Sequence, residues 1–133
     1  MLVNLCRALM MPLLVALSVS FAAAGDEFPF GTTLMLDAAP MRGSKRIPML
    51  EIAENGAASI DLWCASVPAQ VTVSEHSISI SPGDQQNAPC DPDRQARDAE
   101  LLAALAQVTS WRRNGEAIEF SGATSLRFHL MTN

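Results

Sequence analysis

The stretch VTSWRRNGEAIEFSGATSLRFHL, residues 108–130, decides the architecture. Asn114-Gly115 divides it, and this dipeptide tolerates the positive backbone angles that a tight hairpin turn demands. On one side runs Val108 to Arg113 and on the other Glu116 to Ser121, where Ile118 and Phe120 alternate with Glu119. After Gly122-Ala123-Thr124, the residues Leu126, Phe128 and Leu130 alternate with Arg127 and His129. Side chains of a strand point to opposite faces in turn, so each run has one apolar and one polar side. The expected structure is a three-stranded meander.

Outward from this stretch the same period of two recurs. Leu34 and Leu36 flank Met35, Leu50 and Ile52 flank Glu51, Val71 and Val73 flank Thr72, and Ile78 and Ile80 flank Ser79. Between Ala58 and Cys64, the residues Ile60, Leu62 and Cys64 fall on one face, with Ser59, Asp61 and Trp63 on the other. Half-buried strands imply an antiparallel sheet, because parallel sheets are covered on both faces. One helix interrupts them, from about Pro92 to Gln107. Asp91 serves as its cap, Pro92 suits its first position and Asp93 favours the positive end of its dipole. Leu101, Ala104, Leu105 and Val108 form its apolar stripe with Leu102 at the margin, while Arg94 and Asp98 on that stripe are charged; the second half is expected to pack and the first turns to meet water. Pro40–Pro48 and Ser81–Pro89 carry Gly, Pro, Ser and Asn without apolar periodicity and read as loops. The fold class is α+β, mainly β.

The start of the chain has a different character. Arg7 precedes an apolar run from Ala8 to Val19, followed by Ala22, Ala23, Ala24 and Gly25, which is the order of a secretory signal peptide. The uncharged stretch of roughly 17 residues falls short of the ~20 that cross a bilayer as a helix. Residues 1–24 are therefore expected to be removed, with cleavage after Ala24 or, alternatively, Ala22. That leaves residues 25–133 as one domain with no stable membrane span, periplasmic or secreted. Losing Arg7 leaves eight basic residues against fourteen acidic ones, a net charge of −6 where the whole chain carries −5. Nucleic acid is an unsuitable partner for such a surface, since binding it requires clustered cations.

Of three cysteines, Cys6 lies in the leader, and the remaining pair, Cys64 and Cys90, reads as one disulfide in an oxidising compartment. Metal ligation with His76 as a third ligand is the sharper alternative, although isolated cysteines lack the close spacing of a zinc site. No Gly-x-Ser-x-Gly elbow, His-Glu-x-x-His pair or phosphate loop is present in the sequence. His76, beside Glu75 at a turn, and His129, on an outward strand position, have no evident partner for acid–base chemistry. The expectation is a non-enzymatic domain without cofactor or metal, a monomer that binds a protein or envelope partner. Two features are candidates for binding: the basic loop of Arg42, Lys45 and Arg46, and the tryptophans Trp63 and Trp111, with packing of one of the two under the helix or across the second face as the alternative.

The order of elements resembles the META domain, or HslJ-like, family. The resemblance rests on Cys64 ending a strand, Cys90 just before a helix with Leu101 and Leu105, then Val108, Trp111, Gly115, Ile118, Phe120, Gly122, Leu126 and Phe128, and it spans roughly Phe28 to Leu130. It implies a small curved antiparallel sheet, partly closed like a barrel, with one packed helix. It also implies an exported or envelope-associated bacterial protein connected with stress or antibiotic tolerance. The alternative function is a proteinaceous inhibitor of an exported hydrolase or protease.

Overall fold

The computed structural model describes residues 27–85 and 89–132; the proposed leader and its cleavage site lie outside them. Eight strands follow one another as β1 (Leu34–Leu36), β2 (Met49–Ile52), β3 (Ala57–Asp61), β4 (Ser66–Val73), β5 (Ile78–Pro82), β6 (Val108–Asn114), β7 (Ala117–Gly122) and β8 (Leu126–Leu130), with helix α1 (Pro92–Ala106) between β5 and β6. All pair antiparallel in one sheet of order β5-β4-β3-β2-β1-β8-β7-β6. Two meanders, β1–β5 and β6–β8, are thus joined side by side through the register Leu34↔Leu130, Met35↔His129 and Leu36↔Phe128.

Twist curls this sheet until its edges meet. Ser77 bridges Ser110, and the Trp111 amide donates to the His76 carbonyl at 3.0 Å. The result is a nearly closed barrel, in which sheet edges that would otherwise present unpaired backbone are brought together. Inward positions of the alternation fill it: Leu34, Leu50, Ile60, Ile118, Phe120 and Phe128 are all buried. Phe120 and Phe128 meet with ring centroids 5.4 Å apart. Helix α1 lies over the mouth where β3 turns into β4 and β7 into β8, contributing Leu101 and Leu105 to the core. Residues Glu27–Phe30 sit at the opposite mouth, where Phe28 packs edge-on to Trp111, 5.1 Å between centroids.

The helix starts as its residues dictate. Asp91 accepts from the Arg94 amide at 2.9 Å, with Pro92 in the first turn. The final hairpin differs in one detail: Asn114 still pairs with Ala117, so the two loop residues are Gly115 and Glu116. Only Gly115 carries a positive φ, 63°, which is the type II′ arrangement with glycine first.

Two expectations from the alternation need correction. The strand expected over Ala58–Cys64 ends at Asp61, and Leu62–Ala65 form the loop to β4, closed by the Leu62 amide on the Ala65 carbonyl at 2.8 Å. All four loop residues are buried. Trp63 is therefore not on a polar face: the loop tucks inward under α1. In α1 the first turns, Pro92 to Arg97, do face water, but Asp98 at their end is 0% exposed and does not.

Gly122 marks the tightest approach. A Cβ there would lie 2.2 Å from the Gln107 carbonyl oxygen, beside the irregularity between Val108 and Ser110 in the β6–β7 ladder. Gly122→Ala should force these strands apart at the helix exit and cost about 1–3 kcal/mol, as overpacking does. Chemical denaturation of the variant checks this.

Candidate functional site

The helix-covered mouth holds a cleft of about 580 Å³. Trp63, Leu36, Leu101 and Leu126 form its apolar walls, while Arg97, Glu100, Gln107 and Thr124 stand on its lining as polar groups. Arg97 and Glu100 face one another at 3.5 Å, and both are more than half exposed. Such a pair is solvated and fixes little. The apolar wall is the feature a ligand would meet.

Beneath this cleft a compact knot fixes the Leu62–Ala65 loop. Cys64 and Cys90 form a disulfide with a Cα–Cα distance of 6.0 Å, closing a span of 26 residues. The buried Asp98 carboxyl accepts the Ala65 amide at 2.9 Å and the Cys64 amide at 3.2 Å. From the outside, Arg46 donates to the Cys64 carbonyl at 3.2 Å and to Ser66 Oγ at 3.3 Å, with Asp61 at 3.9 Å. Arg94 donates to the Gly43 carbonyl at 3.2 Å, fastening the basic loop to the helix. Arg42, Lys45 and Arg46 are all exposed, and Arg46 is set apart by its bonds to the β3–β4 loop, which make it a structural tie.

The tryptophans are not brought together. Trp63 walls the helix-side cleft, and Trp111 is buried at the other mouth, where its indole Nε1 donates to the Ser74 carbonyl at 2.9 Å. There a second cleft of about 560 Å³ is lined by Phe28, Phe30, Val73, Glu75, His76 and Trp111. His76 is thus at the far end of β4 from Cys64, roughly 25 Å away at 3.3 Å per residue, and it is excluded as a third ligand beside the cysteines. Among the described residues, no three His, Cys, Asp or Glu side chains converge as a metal site.

On the outer face, charges run in a ladder across β8, β7 and β6. His129 Nδ1 is bonded to Asp37 Oδ1, Arg127 reaches Asp37 at 3.1 Å and Glu119 at 3.8 Å, and Arg112 pairs with Glu119. The hydrogen bond from Arg112, then its charge, and more weakly the Arg127 charge hold the Glu119 carboxyl below its ordinary value. A depressed carboxylate stabilises the fold above its unfolded-state pKa, and that contribution disappears as pH falls through the folded-state value. Arg112→Ala should therefore move the Glu119 titration upward, read by NMR of its side-chain carboxyl.

Sequence reasoning missed two of these residues. Asp98 lies three residues before Leu101 and seven before Leu105, on the stripe that packs, so its burial was signalled by position although its chemistry suggested water. Asp37 carried no such signal, because its partner His129 is 92 positions away.

An eight-stranded antiparallel meander curled into a near-barrel, with a disulfide and one helix across its mouth, defines a small mainly β domain. Residues 31–132 match the model of the META domain, and the chain belongs to that family. Comparison with curated proteins and with solved structures gave no significant match. No helix among the described residues is long and apolar enough to cross a membrane.

Proposed function

We propose that this protein is a non-enzymatic domain acting in the periplasm or outside the cell, where it binds an envelope partner through the helix-side cleft. The observation that carries the reading is the wall formed by Trp63, Leu36, Leu101 and Leu126 around about 580 Å³ of concave space, with exposed polar groups on its lining. An apolar cavity with few polar groups is the common form of a ligand site. The disulfide supports an oxidising compartment.

Ala103 is exposed and lines this cleft, so Ala103→Trp fills it without touching the core. Affinity recovery from an envelope extract should yield an envelope component with the parent protein and at least tenfold less with the variant. Equal recovery by both overturns the cleft as the site. A hydrolase recovered in one-to-one ratio would instead make the protein an inhibitor.

A further inference from the structure

The register of β2, β1 and β8 places a row of soft ligands on the outer face of the barrel. Met35 pairs directly with Met49 on one side and with His129 on the other. Their neighbours Leu34, Leu50 and Phe128 are core residues, so alternation turns these three outward, and all three are partly exposed. Met131 belongs to the same face, two residues beyond His129, with its amide on the Thr33 carbonyl at 2.9 Å. At 42% exposure it is the one exposed large apolar side chain among the described residues.

We propose that Met35, Met49 and His129 form a Cu(I) site, with Met131 as a further thioether ligand. Adjacent strands lie about 4.8 Å apart, so the row Met49–Met35–His129 is only about 10 Å wide. Directly opposed side chains touch, and the diagonal from Met35 to Met131 is within reach of long ones. Methionine, unbranched with three rotatable bonds, can bring its sulfur over the middle of such a row. The imidazole is already oriented, with Nδ1 against Asp37 Oδ1; a carboxylate only accepts, so the tautomer that suits this contact has its proton on Nδ1 and its lone pair on Nε2. A carboxylate behind a ligating histidine is the usual support of a metal ligand. Nearby carboxylates have other partners. Glu51 accepts from Thr33 at 3.2 Å, and Asp61 accepts from Ser66 at 2.6 Å. Thioether sulfur with imidazole selects Cu(I) over Zn(II), Mg(II) or Ca(II), which favour thiolate or oxygen donors. Ala117, opposite His129 on β7, leaves the imidazole uncrowded on that side.

This site is independent of the helix-side cleft and is tested separately. The full chain, with Cys6→Ser in every sample and the Cys64–Cys90 bridge verified by thiol assay, is titrated with Cu(I) against a chromogenic chelator. The parent should withhold one equivalent, Met35→Leu/Met49→Leu should bind at least tenfold more weakly, and Met41→Leu should match the parent. Leucine conserves volume, so the fold is expected to persist. Methyl NMR with Ag(I) as a redox-inert probe gives a second reading on the unmutated row: the Met35, Met49 and Met131 methyl signals should shift while Met41 stays. Complete retention of copper by the chelator, equal binding by the double variant, or no selective shift with Ag(I) would overturn the site. Retention together with capture of a protein that Met131→Leu abolishes would make this face a docking surface instead.

Discussion

Asp98→Ala should lower the unfolding free energy by about 3–5 kcal/mol, as much as truncating a large core side chain. The carboxyl is fully buried and receives the backbone amides of Cys64 and Ala65. Removing it leaves two donors inside the protein without partners, each costing about 1–3 kcal/mol. Alanine is the better helix former, which offsets only about half a kcal/mol. Against a total stability of about 5–15 kcal/mol for a domain, such a loss approaches half. Asp98→Asn retains one acceptor oxygen and should fall between, whereas Asp93→Ala, an exposed first-turn substitution, should change little. Urea unfolding of the three variants checks the ranking. If Asp98→Ala and Asp93→Ala unfold at the same urea concentration, the carboxyl does not hold the loop.

The strands were legible because each carries its own local signal. Ile60, Ile78, Ile80, Ile118 and Phe120 alternate with polar neighbours, and every one of them is in the core. The helix was legible for a similar reason, since Asp91 and Pro92 mark its start. Pairings between distant segments have no such signature. Nothing in Leu34–Leu36 shows that β8 rather than β3 lies on its second side, and that choice is what joins the two meanders and brings Met35 beside His129.

The loop Leu62–Ala65 shows where alternation misleads. Period two predicts an outward Trp63 only while the strand continues, and the strand stops at Asp61 because the chain must return as β4. Once it turns, burial depends on what lies above, and α1 lies above. The same contact explains Asp98: the helix face that meets the loop meets backbone amides, so a carboxyl is the group that fits. For the basic loop, charge and exposure alone could not single out Arg46, whose guanidinium bonds the Cys64 carbonyl, from its likewise exposed neighbours Arg42 and Lys45.

Opening the Cys64–Cys90 bridge is the second large perturbation, and it acts chiefly on the unfolded chain. A closed span of 26 residues restricts that chain by about 3.5 kcal/mol in the loop-entropy model. Cys64→Ser/Cys90→Ser should therefore unfold at much lower urea concentration, and reductant should bring the parent toward the same midpoint. The folded state contributes as well, because the bridge anchors Cys90 beside the helix cap while Asp98 binds the amide of Cys64. Two ties converge on one loop, so their losses should not add. With the bridge absent, Asp98 still holds the loop to α1; with Asp98 absent, the bridge still holds it to the segment before α1. Removing both should cost more than the sum of the two separate losses, with a coupling of about 0.5–3 kcal/mol measured by a double-mutant cycle. Strict additivity would mean that the two ties act on separate parts of the fold, and the knot beneath the cleft would then not be a unit.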